Sequence, residues 1–125
     1  MSHQLVISLG SNLTPRQRRV EEAMHWLQEV LDGYSASSIY ETPEIHGHGR
    51  PYMNAVVEGE VSLEPDEFNR MLKRYEEQNG RDAEARSRGE VPIDLDLVVA
   101  DGDILRPRDY ARSFFRIGYD QIKSI

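Results

Sequence analysis

In Ile93-Asp94-Leu95-Asp96-Leu97-Val98-Val99, two carboxylates interrupt an otherwise apolar stretch. Because side chains in a β-strand alternate between faces, Asp94 and Asp96 are expected on one face of a sheet and their apolar neighbours on the other. Two strand steps separate the aspartates by roughly 7 Å at their Cα atoms. This spacing suits one or two Mg²⁺ ions, which combine a few carboxylates with water and phosphate oxygens. A half-buried edge strand with a solvated acidic face is the alternative interpretation.

Strand and helix patterns alternate on the N-terminal side of this acidic strand. The predicted elements are a strand at 4–9, a helix that begins at Pro15 with Thr14 as its cap and ends near Gly33, a strand at 34–40, a strand at 52–61, and a helix capped by Ser62 that ends at 79–80. A charged loop is expected at 81–92. Residues after 101 are expected to be irregular, with a short helix near the end of the chain.

The order strand, helix, strand, strand, helix, strand predicts a ferredoxin-like α+β sandwich. Its four-stranded antiparallel sheet would carry two main helices on one face, and the other face would be left for loops and a ligand. A chain of 125 residues, of which 38% are hydrophobic, fits one domain over residues 1–125.

Composition excludes several classes of protein. The formal net charge of -7 disfavours a nucleic-acid-binding surface, so an RNA-binding ferredoxin-like module is a weak alternative. The absence of cysteine excludes disulfides, thiolate zinc sites and cysteine nucleophiles. Without a long apolar stretch or a signal-peptide pattern, the chain is expected to be cytoplasmic, without a membrane partner, and a monomer or weak dimer.

Arginines are concentrated on both sides of the acidic strand. Three precede it and four follow it: Arg81, Arg86, Arg88, Arg106, Arg108, Arg112 and Arg116. Guanidinium groups around a carboxylate pair suit a polyphosphate ligand, because Mg²⁺ and the arginines would bind different phosphate oxygens. For any single arginine, an ordinary surface ion pair is the alternative.

Several motifs occur in a characteristic order along nearly the whole chain. They are Ile7-Ser8-Leu9-Gly10-Ser11-Asn12-Leu13, Tyr40-Glu41-Thr42-Pro43, Tyr52-Met53-Asn54-Ala55-Val56, the stretch from Glu76 to Arg81, Asp94-Leu95-Asp96-Leu97, and Arg112-Ser113-Phe114. Together they resemble the 6-hydroxymethyl-7,8-dihydropterin pyrophosphokinases of folate biosynthesis. The resemblance implies an enzyme that transfers pyrophosphate from ATP to the hydroxymethyl group of the dihydropterin and releases AMP.

The resemblance also implies a role for each matching residue. Asp94 and Asp96 would hold two Mg²⁺ ions and, with Arg81 and Arg112, form the catalytic group. The implied pterin-binding residues are Thr42, Pro43, Ile45, Tyr52, Asn54 and Phe114. The implied ATP-binding residues are Lys73, Glu76, Arg81, Arg88, Leu97, Arg106 and Arg112. For Tyr52, Ile45 and Phe114, simple core packing is the alternative.

The chain departs from the family pattern before the acidic strand, which indicates a divergent and short member. The family usually has Gly-Pro-Arg there, whereas this chain has Val91 in place of the arginine, and Ala83 replaces a further basic residue. Loss of these cations predicts a slower or altered enzyme. A non-catalytic or altered-specificity paralogue that binds a pterin or nucleotide is the alternative. His46 and His48 make a weak metal motif and belong to a loop that is expected to cover the substrate.

Overall fold

Six strands and five helices form the part of the chain that the structure, a computed structural model, describes, which is residues 1–124. The strands are β1 (His3–Ser11), β2 (Asp32–Ala36), β3 (Tyr40–Thr42), β4 (Tyr52–Val61), β5 (Asp94–Ala100) and β6 (Asp103–Ile104). The helices are α1 (Arg16–Val30), α2 (Pro65–Gln78), α3 (Ala83–Ser87), α4 (Pro107–Ala111) and α5 (Ser113–Lys123). None of these helices has both the length and the apolar character needed to cross a membrane.

The strands form one antiparallel sheet in the order β2-β4-β1-β5-β6, and β3 also pairs with β4. The α+β class and the antiparallel sheet are confirmed, but the prediction of four strands is wrong because the sheet has six. The predicted strand at 34–40 is divided into β2 and β3. At the break, the Ser37 hydroxyl accepts from the Val56 amide at 2.9 Å and thereby replaces a backbone acceptor. The sixth strand, β6, follows a turn at Asp101 and Gly102, which both have positive φ.

Helices α1 and α2 pack against one face of the sheet, as predicted. Leu95 and Leu97 of β5, and Ile93 just before this strand, lie in this core, so the alternation predicted for the acidic strand is confirmed. The rings of Trp26 and Tyr75 stack between the two helices, with centroids 4.4 Å apart.

Helix α5 covers part of the opposite face, which was predicted to carry only loops and a ligand. That prediction is wrong because Val56 and Val98 are apolar on this face, and burying them requires an apolar partner. Phe115 and Ile122 of α5 provide it. The face therefore has a covered half and an open half, and the open half lies beside Asp94 and Asp96.

The predicted helix ends are partly wrong. Neither Thr14 nor Ser62 is an N-cap: α1 is preceded by Pro15 and α2 by Glu64, and neither residue makes a side-chain capping bond. Gly33 lies in β2, since α1 already ends at Val30. The predicted end of α2 at 79–80 is confirmed, because residue 79 is its C-cap and residue 80 has a φ of 97°.

Candidate active site

Three carboxylates converge where β5 begins. Asp94 and Asp96 lie beside Gly10 and Ser8 of β1, and Glu76 reaches them from α2. One oxygen from each acidic residue lies within 4.8 Å of the other two. We call Glu76, Asp94 and Asp96 the acidic cluster. Its oxygen ligands are of the type that a hard divalent cation prefers.

Two cations from α2 and the following loop hold the acidic cluster together. Arg81 Nη1 donates to Asp94 Oδ1 at 2.6 Å and lies 3.4 Å from Glu76 Oε2. Lys73 Nζ donates to Asp96 Oδ1 and to Glu76 Oε2, both at 3.1 Å. The Glu76 carboxylate is buried and also accepts from the Leu95 amide at 2.7 Å, so it fixes β5 between the two aspartates.

The two aspartates titrate differently because their surroundings differ. Burial, followed by repulsion from Asp96, raises the pKa of Asp94 to about 7, although Arg81 opposes this change. Burial also acts to raise the pKa of Asp96, but Lys73, the Asp94 carboxyl and Arg106 outweigh it and keep that pKa below its ordinary value. Two neighbouring carboxylates that cannot both ionise freely are relieved by a bound divalent cation.

A cavity of about 200 Å³ opens directly beside these aspartates. All six residues predicted to bind pterin line it: Thr42, Pro43, Ile45, Tyr52, Asn54 and Phe114. They come from β3, β4, α5 and the loop between β3 and β4, so they become neighbours only in the folded chain. Their binding roles stay predictions.

Asn54 is held in place at the back of this cavity. Its side chain is buried, and Nδ2 donates to Thr42 Oγ1 at 2.6 Å and to the Tyr52 carbonyl at 3.3 Å. Gly10 lies opposite, and a Cβ atom on it would stand 3.2 Å from Asn54 Oδ1. The absence of a side chain at Gly10 therefore keeps this part of the cavity open. Ile45 is half exposed at the rim.

A second cavity, of about 300 Å³, lies between the loop that follows β3 and the loop that contains α3. Arg81 lines it together with Arg50, Arg86 and Val91. Arg81 also contacts Asp94, which lines the first cavity, so its guanidinium connects the two. Val91, at the position where the resemblance predicts an arginine, lines this cavity, and so does Arg86.

Two further arginines that were predicted to bind ATP, Arg106 and Arg112, differ in their surroundings. Arg106 lines the first cavity, donates to Asp109 at 2.5 Å and stands 3.9 Å from Asp96. Arg112 is exposed at the junction of α4 and α5, two residues before Phe114, and its side chain has no ion-pair partner within residues 1–124.

Among the predicted ATP-binding residues, Leu97 and Arg88 have side chains that contact neither the acidic cluster nor the lining of the first cavity. The side chain of Leu97 packs in the core, on the face opposite to the aspartates. Arg88 pairs with Glu84 and Glu90 on the surface. His46 and His48 are exposed, and neither belongs to a group of three possible metal ligands within residues 1–124.

Sequence reasoning missed several residues that line the first cavity, which are Ser8, Leu9, Gly10, Glu44 and Asp109. Asp109 could have been predicted as the partner of Arg106, since it follows Arg106 by three residues, a spacing that allows an ion pair on a helix. Asn12 was also missed. Its side chain donates to the Gly89 carbonyl at 3.0 Å and accepts from the Val91 amide at 2.6 Å, and it thereby fixes the end of the charged loop.

Comparisons with known proteins agree with the motifs. Residues 6–124 match the family model for 7,8-dihydro-6-hydroxymethylpterin-pyrophosphokinase. A folate synthesis bifunctional protein of Arabidopsis thaliana is 33% identical over 76% of this chain, which corresponds to 20% of that protein.

Two bacterial relatives, named 2-amino-4-hydroxy-6-hydroxymethyldihydropteridine pyrophosphokinase, are each 29% identical to this chain. The match covers 80% of this chain and 64% of the Haemophilus influenzae protein, and 91% of this chain and 74% of the Bacillus subtilis protein. The chain thus spans about a fifth of the plant relative and just under two thirds of the Haemophilus protein. The chain belongs to the 7,8-dihydro-6-hydroxymethylpterin-pyrophosphokinase family, and the family predicted from its motifs is confirmed.

Proposed function

We propose that this protein transfers pyrophosphate from ATP to the hydroxymethyl oxygen of 6-hydroxymethyl-7,8-dihydropterin and releases AMP. The main observation behind the proposal is that the six residues predicted to bind the pterin line one cavity together with Asp94 and Asp96. A flat heterocycle and a metal-bound polyphosphate would meet there. Family membership and the names of the relatives support the same reaction.

The acidic cluster fits Mg²⁺. Its three carboxylates supply hard oxygen ligands, and burial together with repulsion by Asp96 raises the pKa of Asp94, so a divalent cation would relieve the cost of ionising this group. When bound, Mg²⁺ would neutralise phosphate charge and help to align the reacting groups. Asp94 and Asp96 would hold it, while Glu76 keeps their strand in place through the Leu95 amide.

The basic residues would bind the charge on the nucleotide. Arg81 lies where the two cavities meet, so its guanidinium can turn from Asp94 to a phosphate oxygen over a short distance. Arg106 lines the first cavity and lies 3.9 Å from Asp96, and Lys73 is held between Asp96 and Glu76. In this arrangement cations surround the transferred group, which stabilises charge that develops during the transfer.

The apolar and amide side chains would hold the pterin. Asn54 is fixed by its bonds to Thr42 and Tyr52, so its amide is oriented before the ligand arrives. An amide group matches the donor and acceptor edge of a pterin, and the rings of Tyr52 and Phe114 can stack on its faces. Exclusion of water by these rings would protect the activated phosphate from hydrolysis.

The proposal is tested by incubating the protein with Mg²⁺, ATP and 6-hydroxymethyl-7,8-dihydropterin. We expect AMP to form in an amount equal to the pyrophosphorylated pterin, and Asp96→Asn to abolish it. Arg74→Gln, which alters an exposed arginine elsewhere on α2, is the matched control and should keep full activity. No AMP from the unaltered protein would contradict the proposal.

A second candidate function is favoured by Val91, which stands where the family has an arginine. In that case the protein would bind a pterin or nucleotide without transferring pyrophosphate. Pterin binding measured by fluorescence, together with no AMP in the same preparation, would establish this alternative.

A further inference from the structure

The hydroxyl of Tyr40 is inserted into the first turn of α5. It donates to the Phe114 carbonyl at 2.5 Å and accepts from the Gly118 amide at 3.0 Å. These two backbone groups are four residues apart, the spacing at which an α-helix forms its own hydrogen bond. The Tyr40 hydroxyl thus bonds to both groups of one backbone hydrogen-bonding pair of the helix, and this contact links β3 directly to α5.

Glycine at position 118 makes this close approach possible. A Cβ atom there would lie 2.7 Å from both the Tyr40 hydroxyl oxygen and Val56 Cγ2, and 2.9 Å from Ser37 Oγ. Contacts this short do not occur, so any larger residue would push the helix away from β3. Burial raises the pKa of Tyr40 to about 12, so the hydroxyl keeps its proton and remains a donor.

Tyr40 connects two walls of the pterin cavity. On β3 it is the register partner of Asn54, and its hydroxyl bonds to the backbone carbonyl of Phe114, which also lines the cavity. Tyr40 itself does not line the cavity. Its position therefore allows it to act on a ligand only through its neighbours.

The rest of α5 is attached to the sheet independently of Tyr40. Gln121 Oε1 accepts from the Ser38 amide at 2.8 Å and from the Ser38 hydroxyl at 3.1 Å, and Lys123 pairs with Glu58 at 2.6 Å. The Phe115 and Ile122 side chains bury the helix against the sheet. Loss of the Tyr40 hydroxyl would leave α5 docked and would release only its first turn.

We propose that Tyr40 is a positioning residue for the pterin: its hydroxyl fixes the first turn of α5 so that the Phe114 ring stands at a set distance from Asn54. The proposal rests on the proposed function, because it assumes that the cavity binds the pterin ring. It predicts that Tyr40→Phe weakens pterin binding and that this effect requires the Phe114 ring.

A double-mutant cycle on pterin affinity tests the proposal. The dissociation constant of 6-hydroxymethylpterin is measured by fluorescence titration for the unaltered protein, Tyr40→Phe, Phe114→Ala and the double variant. We expect Tyr40→Phe to weaken binding by about tenfold in the unaltered background, the size of one lost hydrogen bond, and by less than twofold in the Phe114→Ala background. The affinity for a non-hydrolysable ATP analogue with Mg²⁺ should stay within twofold.

Gln121→Ala is the matched control, because it removes a contact between the same helix and the sheet at the far end from the cavity. It should lower the melting temperature by a similar amount and leave the pterin affinity unchanged. Equal pterin losses in Tyr40→Phe and Gln121→Ala, or the same tenfold loss with and without the Phe114 ring, would overturn the positioning role alone. No pterin binding by the unaltered protein would overturn both this proposal and the proposed function.

Discussion

The two aspartates of β5 should respond differently to replacement by asparagine: one substitution should raise the free energy of unfolding and the other should lower it. The raised pKa of Asp94 means that the metal-free fold holds its ionised form at a cost, and the lowered pKa of Asp96 means that the fold favours its ionised form. At pH 8, without metal, Asp94→Asn is therefore expected to stabilise the protein. Asp96→Asn is expected to destabilise it, since Lys73 loses a partner 3.1 Å away.

The magnitude follows from the pKa of Asp94. The unfolded chain releases this proton near 3.8 and the fold releases it at about 7, so the fold becomes less stable as pH rises between these values. For a fully buried group the difference would be about 4 kcal/mol at pH 8. About a third of the side chain is exposed, so solvent screening reduces the expected gain from Asp94→Asn to about 1–2 kcal/mol. For Asp96→Asn, loss of a bond to a charged group predicts about 1–3 kcal/mol of destabilisation.

The free energy of unfolding is measured by urea titration at pH 8 and pH 5 in the presence of a chelator. Asp103→Asn, an exposed change on β6, is the control and should have little effect at either pH. The gain from Asp94→Asn should fall to roughly a third at pH 5, because the native carboxyl is then protonated while that of the unfolded chain is still mostly ionised. Losses of equal sign and size from Asp94→Asn and Asp96→Asn at pH 8 would refute the reasoning. Addition of Mg²⁺ should raise the free energy of unfolding of the unaltered protein, and this increase should be absent in both variants.

Three further predictions concern other parts of the molecule. Asn54→Ala should weaken pterin binding far more than ATP binding in fluorescence titrations, and equal losses would contradict the assignment of the cavity. Val91→Arg should raise the rate of AMP formation by restoring a phosphate contact, whereas an unchanged rate would mean that another arginine, such as Arg86, already makes it. His3 has a raised pKa, chiefly through its hydrogen bond to Asp101, so its stabilising contribution is present below pH 6.5 and is lost as the pH rises through its folded pKa. His3→Gln should consequently lower the melting temperature more at pH 6 than at pH 8, and an equal effect at both would exclude this linkage.

The alternation of residues 93–99 could be predicted because the side-chain direction in a strand depends only on position. Leu95 packs in the core and its acidic neighbours face the cavity, as the pattern required. The order of the longer elements, β1, α1, β4, α2 and β5, could be predicted for the same reason, since each has its own period of apolar residues, whereas the short helix α3 lies in the stretch 81–92 that was predicted to be a loop. The break between β2 and β3 could not be predicted, because it depends on a Ser37 hydroxyl that meets a distant strand.

The role of α5 is an example of what local patterns cannot provide. Its cover of the sheet depends on Val56 and Val98, which lie far from it in sequence. Gly118 in the middle of a helix was the available signal, because glycine is unfavourable there unless a close approach requires it. Family resemblance also implies nucleotide contacts for Leu97 and Arg88, whose side chains the structure places in the core and in a surface ion pair, so their binding roles stay predictions.

The difference between Asp94 and Asp96 argues that the acidic cluster is built for a ligand. A cation beside a carboxylate favours its charged form, so ion pairs that stabilise a fold usually lower the pKa of the carboxylate. Lys73 does this for Asp96, but Arg81 does not compensate for the burial of Asp94 and its repulsion by Asp96. The fold thus keeps one acidic group under-neutralised at the wall of a cavity, and this is the group that a divalent cation would stabilise most. A gain in stability from Asp94→Asn, obtained together with a loss of Mg²⁺ response, would be the direct measure of that arrangement.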